Sequence, residues 1–343
     1  MEKPYDHLQT VSSLLRMITA IVAFVGCMLI VVTYKALDVH FSTEQPSNAN
    51  TDSTRWAAPL VSTIPKNEKG ALIFYGRDLI QRTEKYLGPD GVIQKSSNGM
   101  RCTNCHLDAG TKLFGNNFSG VASTYPKFRP RYGAIESIEK RVNDCIVRSL
   151  HGKSLDSTSL EMKAIVAYMV WLGQDVPKGT APEGSGLLPV SFLERPADPE
   201  KGKPIYNQKC AHCHGENGQG MVISGSSSFL NPPVWGENSY TVGAGMYRLG
   251  RLAAFVKSNM PWGVSFDAPQ LSDEDAWDVA AYINSMPRPE IDLKKDWPDI
   301  SKKPPDYPFG PFMDPFTEIQ HKYGPYQVIL KARETSKSST RKN

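Results

Sequence analysis

The sequence predicts an all-α chain in which two small helical domains repeat one plan. Three observations lead there. The pentads Cys102-Thr-Asn-Cys105-His106 and Cys210-Ala-His-Cys213-His214 both read C-x-x-C-H. Each follows a short segment with helical spacing and precedes a loop rich in glycine, Gly110–Gly120 and Gly215–Gly225. Each half then closes on a helix with a similar tetrapeptide, Ile165-Val-Ala-Tyr168 and Val279-Ala-Ala-Tyr282.

In a C-x-x-C-H pentad the two cysteines add to haem vinyl groups as thioethers, and the histidine is placed as proximal iron ligand. A zinc ribbon also pairs C-x-x-C motifs but has no need of a histidine directly after each. A dithiol redox motif needs a single C-x-x-C in a βαβ setting. Two pentads therefore predict two covalently bound haem c groups, attached through Cys102, Cys105, Cys210 and Cys213, with His106 and His214 on iron. The fold expected is two class I-like cytochrome c domains.

The 343 residues have room for two such domains, an anchor and a tail. The 39 basic and 35 acidic residues nearly balance, so no nucleic-acid footprint is visible. The expected division is 1–37 cytoplasmic N-terminus and transmembrane anchor, 38–68 linker, 69–177 first haem domain, 178–195 linker, 196–287 second haem domain and 288–343 tail. Met17–Tyr34 is an uncharged, mostly apolar run near the lower length limit of a bilayer-spanning helix. Lys3 and Arg16 precede it, which favours a cytoplasmic N-terminus. Tyr34-Lys35-Ala36 is a poor cleavage site, which favours an uncleaved anchor over a signal peptide. Covalent haem attachment takes place outside the bacterial cytoplasm. The expected place is the periplasmic side of the inner membrane, with an exported soluble form as the alternative.

Along the chain, Ala71, Leu72, Phe74, Tyr75, Leu79 and Ile80 make an apolar stripe. Residues 134–150 read as a helix with Cys145 on its apolar face. Thr158 with Glu161 resembles a capping box that opens a helix over 160–172, and Ser272 with Asp275 a second one, opening a helix to Met286. Residues 201–208 and 249–257 have helical pattern. The tail from Pro287 is dense in proline and is expected to be irregular.

The distal positions decide the chemistry of each haem. In the second domain Met260, in Asn259-Met260-Pro261, is the leading ligand; Met221, Met246 and Met286 are rivals. In the first, Cys145, His151, Met162 and Met169 are candidates. Arg141, Arg148 and Ser149 stand four before, three after and four after Cys145, within helical reach of it. Guanidinium groups favour thiolate over thiol.

These blocks carry a family resemblance. Together with Cys102-Thr-Asn-Cys-His-Leu-Asp-Ala-Gly110, Arg141-Val-Asn-Asp-Cys145, Arg148-Ser149 and Gly243-Ala-Gly-Met246, the chain resembles the dihaem thiosulfate dehydrogenases, some of which run as tetrathionate reductases. The resemblance implies that Cys145 ligates the iron of an active-site haem, with His106 opposite. It implies that Arg131 and Arg141 line the substrate pocket. Some members have a lysine directly before the distal methionine; here it is Asn259, so the resemblance implies a His214/Met260 second haem. Thiosulfate and tetrathionate are the implied substrates, and a cytochrome c or membrane carrier the implied redox partner. The competing class is a non-enzymatic dihaem electron carrier, which needs no arginine-flanked thiol beside a haem.

Overall fold

The computed structural model describes residues 55–340 and, before them, residues 14, 16–22, 24–26 and 28, which are helical. Residues 23, 27 and 29–34 of the expected membrane span lie outside the described residues. Among those described, no helix is long and apolar enough to cross a membrane.

The first half is built on α1 (Glu68–Gln81), α2 (Ile138–Arg148) and α3 (Leu160–Leu172). Asn67 caps α1 by accepting the Gly70 N–H, and Ser137 caps α2 by accepting that of Lys140. The cap of α3 is Ser159, which accepts the Met162 N–H at 3.2 Å. Thr158, the expected cap, bonds Asp156 instead. The helix expected from residue 134 begins only at Ile138. Ala134–Glu136 is instead a strand, β2, paired antiparallel with β1 (Lys127–Arg129) in the register Lys127↔Glu136. The turn between them passes through Gly133, whose φ of 65° suits a residue without a Cβ.

The second half repeats the helical plan with α4 (Pro199–Lys209), α5 (Leu249–Asn259) and α6 (Asp273–Ser285). Pro199 stands in the first turn of α4, where its missing N–H leaves no bond unmade. Ser272 and Asp275 form the reciprocal capping box of α6. A short ladder joins β3 (Met221–Val222) to β4 (Phe229–Asn231) after the second pentad.

The repeat is closest where the first and last helix of each half cross. A Cβ on Gly76 of α1 would stand 1.9 Å from the Ala164 carbonyl oxygen and 2.9 Å from the Tyr168 Cβ on α3. A Cβ on Gly202 of α4 would stand 2.0 Å from the Asp278 carbonyl oxygen and 2.9 Å from the Tyr282 Cβ on α6. Glycine at each crossing lets the backbones touch. Mid-helix Gly→Ala ordinarily stabilises by about 1 kcal/mol. Here the sign should reverse: Gly76→Ala or Gly202→Ala is expected to destabilise by about 2–3 kcal/mol through overpacking. Denaturant midpoints followed by circular dichroism read this directly, and a stabilised variant would mean that the helices part freely.

One core gathers Ile73, Leu79 and Ile80 of α1, Ile146 of α2, and Met162, Ile165, Tyr168 and Leu172 of α3. The other gathers Tyr206, Leu249, Ala253, Trp277, Val279 and Ile283. Leu107, directly after the first pentad, packs into that second core. So do Tyr326 and Ile329, which belong to α7 (Tyr326–Thr340). The expectation of an irregular tail is corrected here. Residues 288–325 hold only short helical turns, Ile300–Lys302 and Glu318–Tyr323, but Pro325 is the last proline of the chain and a regular helix follows it. The tail also ties the halves together. Asp296 accepts both terminal guanidinium nitrogens of Arg148, at 2.9 and 2.6 Å, while Asp306 accepts Nε and Nη2 of Arg248 at 2.9 and 2.6 Å.

Candidate functional site

Two cavities flank the first pentad. One, of about 270 Å³, is lined by Cys102 and His106 from the pentad, Cys145, Arg141 and Val142 from α2, Leu79 and Ile80 from α1, Met169 from α3, and Phe118, Tyr125 and Lys127 from the intervening loop. The other, of about 300 Å³, is lined by Cys210, Cys213, His214, Met246, Met260, Tyr240, Phe255 and Ile283. Thr103, Asn104, Cys105 and Leu107 line it too. A single stretch of backbone thus separates the cavities, and both pentads border the second.

The residues fit a covalently held haem in each cavity. The His106 Nδ1–H donates to the Asn116 carbonyl at 2.6 Å, and the His214 Nδ1–H to that of Pro232 at 2.8 Å. Each bond fixes the tautomer and leaves Nε2 as the free donor atom, the arrangement found for ligating imidazoles. Burial lowers the pKa of His106 to about 4, and it also lowers that of His214, which favours the neutral ring in each. The Phe118 ring stacks on His106 at 4.5 Å and holds its plane. Burial pushes the Cys102 thiol up to about 11 and Cys105 up to about 12. Among the described residues no group of three or more His, Cys, Asp or Glu side chains is placed to hold a metal ion.

Of the distal candidates in the first domain, Cys145 and Met169 line the cavity. Met162 is fully buried in the core and His151 is exposed. Arg141, one turn before Cys145, shares the cavity wall with it. The charge of Arg141 is favoured first by the Cys145 sulfur, against the cost of burial. Arg148 does not join them. Its guanidinium turns the other way, onto Asp296 and the Tyr132 hydroxyl. Arg131 is not on the cavity wall either: it is buried, donates to the Gly243 carbonyl at 3.4 Å and lies 3.9 Å from Asp296.

The second cation on the wall is Lys127, which sequence reasoning passed over. Its pKa is lowered first by burial, then by Arg129 and Arg141, and its Nζ sits 4.5 Å from the Tyr125 ring centroid. The signal lay in the hairpin. Pairing of Lys127 with Glu136 places that lysine beside the start of α2, but the pairing spans a turn that a helical pattern from residue 134 conceals.

In the second domain Met260 and Met246 line the cavity, whereas Met221 is exposed and Met286 packs on the core. Met260 directly follows α5 with extended backbone, φ −131°. Asn259 is fully buried and donates through Nδ2 to the carbonyls of Phe114 and Phe255, at 3.1 and 3.2 Å. It joins the halves and is not among the cavity-lining residues. Met260→Gly is expected to remove the far-red methionine-to-ferric-iron absorption band while two haems per chain remain. Survival of the band would assign the ligand to Met246.

Comparison with known proteins finds relatives of both domains. The family model described as SoxA/TsdA, cytochrome c domain, matches residues 93–177, and that described as Cytochrome c matches residues 199–287. The thiosulfate dehydrogenase of Psychrobacter arcticus is 39% identical over 242 residues, 70% of this chain and 71% of the relative. That of Stutzerimonas stutzeri is 38% identical, over 68% of this chain and 72% of its own, and that of Allochromatium vinosum 37% identical, over 67% and 83%. The solved thiosulfate dehydrogenase (TsdBA) from Marichromatium purpuratum superposes with a TM-score of 0.65 at 29% identity, covering 73% of this chain and 53% of that one. Two C-x-x-C-H domains with two covalently bound haem c groups, and relatives of this similarity across most of their length, make this chain an enzyme of the dihaem thiosulfate dehydrogenase family.

Proposed function

We propose that the chain interconverts thiosulfate and tetrathionate at the first cavity. The observation that carries this reading is the joint placement of Cys145, Arg141 and His106 on one cavity wall. Two thiosulfates join through their outer sulfurs, one S–S bond forms and two electrons leave; the reverse takes up two electrons and splits that bond. When bound, the two haems supply the one-electron sites through which those electrons pass.

The protein's own groups do the rest. His106 and Cys145 would hold the iron of the first haem, and His214 and Met260 that of the second. Arg141 and Lys127 neutralise the sulfonate charge of a dianion in a largely apolar cavity, where a fixed cation acts more strongly than in water. Arg131, held by Gly243 and near Asp296, contributes from behind the wall as a fixed positive charge. Cys145 is the nucleophile toward substrate sulfur. Attack of its thiolate on a central sulfur of tetrathionate breaks the central S–S bond, releases one thiosulfate and leaves the other joined to Cys145 through a new S–S bond. Two electrons then free the second thiosulfate and restore the thiolate.

The pentad backbone that separates the two cavities, Cys102 to Leu107, would give electrons a short route between the haems. Leu230 and Trp262 line the second cavity and are 67% and 75% exposed, an apolar mouth suited to a cytochrome c or membrane carrier. The two haem domains stand on the periplasmic side of the membrane, anchored by Met17–Tyr34.

Anaerobic addition of thiosulfate to the ferric protein tests the reading. The haems should be reduced and tetrathionate should appear at half the molar amount of thiosulfate consumed. Haems that stay ferric under thiosulfate, yet exchange electrons with another cytochrome, would make the protein an electron carrier.

A further inference from the structure

Arg251 is a half-buried cation that makes no ion pair among the described residues. It lies in the first turn of α5, in the second half of the molecule, yet its Nη2 donates to Asn116 Oδ1 in the first half at 3.3 Å. The carbonyl of that same Asn116 accepts the His106 Nδ1–H. Arg251 therefore braces the loop that orients the first proximal histidine. Its surroundings are cationic. Burial first, then Arg248 and Arg141, with Arg129 beyond, hold its pKa down at about 10. Asp306 is the nearby carboxylate that works the other way, and it is already taken by two nitrogens of Arg248. Among the described residues no carboxylate forms an ion pair with Arg251.

Arg251 is half-buried, and a guanidinium partly withdrawn from water is stabilised where an anion meets it. Its partner Asn116 lines the first cavity and holds His106, so Arg251 stands behind the wall of the group that Cys102, Cys105 and His106 would hold. It is not among the residues that line the wall with Cys145, Arg141 and Lys127. A haem attached through Cys102 and Cys105 brings two propionate carboxylates of its own. We infer that Arg251, supplied by the second domain, binds a propionate carboxylate of the first haem, and so makes that haem part of the joint between the domains. Paired in this way, Arg251 is a positioning residue: a fixed cation beside the first haem favours its ferrous form, and the fork suits a carboxylate bidentately.

The potentials are read on the two-haem protein without substrate, so they do not depend on the proposed reaction on which the KM arm rests. Spectroelectrochemical titration of Arg251→Gln should show a lowered potential for the first haem, an unchanged potential for the second, two haems per chain and an unchanged KM for thiosulfate. An unchanged first-haem potential overturns the inference, as does a KM raised several-fold with the potential unmoved, which would assign Arg251 to substrate. Equal shifts at both haems would also overturn it, since they would reflect net charge alone. Should Arg251→Gln fail to accumulate, Arg251→Lys keeps the charge but loses the fork. Its redox-difference infrared spectrum should then show a displaced propionate carboxylate band, and an unmoved band counts against the pairing.

Discussion

Cys145→Ala should abolish turnover in both directions, by at least about 10³-fold in kcat, the scale on which removal of a reacting group is felt. Both haems should remain attached, because the thioethers use Cys102, Cys105, Cys210 and Cys213. The potential of the first haem should rise, since an anionic sulfur no longer offsets the ferric charge. Cys145→Met separates the two roles assigned to the thiol. Methionine returns a sulfur donor to the same point of α2 but has no thiolate to attack with. The Met variant should accept electrons from dithionite and pass them to the second haem, yet neither oxidise thiosulfate nor reduce tetrathionate. Near-normal thiosulfate oxidation by Cys145→Ala would reduce the thiol to a packing residue.

Arg141→Ala should come next in size. The guanidinium shares the wall of the first cavity with Cys145, and its charge is favoured before all else by the Cys145 sulfur. Removing it takes one fixed cation from a dianion and from the reacting sulfur together. A fall of about 10²-fold in kcat/KM is expected, the usual cost of one preorganised charged donor, most of it in KM. Arg141→Lys should recover part of the loss, because the charge returns without the fork. Lys127→Met, which removes the more flexible cation, should have the smaller effect in the same direction. Steady-state kinetics in both directions checks all three. An Arg141→Ala variant with unaltered KM would place the substrate elsewhere.

The parts of this molecule legible in the sequence are those decided within a few residues. Both pentads, the helices around Ala71–Ile80 and Leu160–Leu172, and the Ser272–Asp275 cap follow from local spacing and capping chemistry. What was not legible depends on partners far away in the chain. Arg148 stands three residues after Cys145, which allows contact, but Asp296 offers it two buried bonds and turns it away. Arg131 meets Gly243 and lies near Asp296 for the same reason. Lys127 reaches the cavity because Ala134–Glu136 pairs as a strand, a tertiary preference that overrides helical spacing. Proline density rightly describes residues 288–325 but not the helix after Pro325, whose Tyr326 and Ile329 find a core to fill. Of the distal candidates, Cys145 and Met169 line one cavity and Met260 and Met246 the other, which local spacing does not reveal.

The central claim is that the Cys145 sulfur itself bonds to substrate sulfur, and peptide mapping by mass spectrometry after brief exposure of the ferric protein to tetrathionate tests it most directly. The account expects the peptide carrying Cys145 to gain the mass of one S₂O₃ unit, removable by a thiol reductant and absent from Cys145→Met. An unmodified Cys145 peptide in protein caught during active turnover would contradict it.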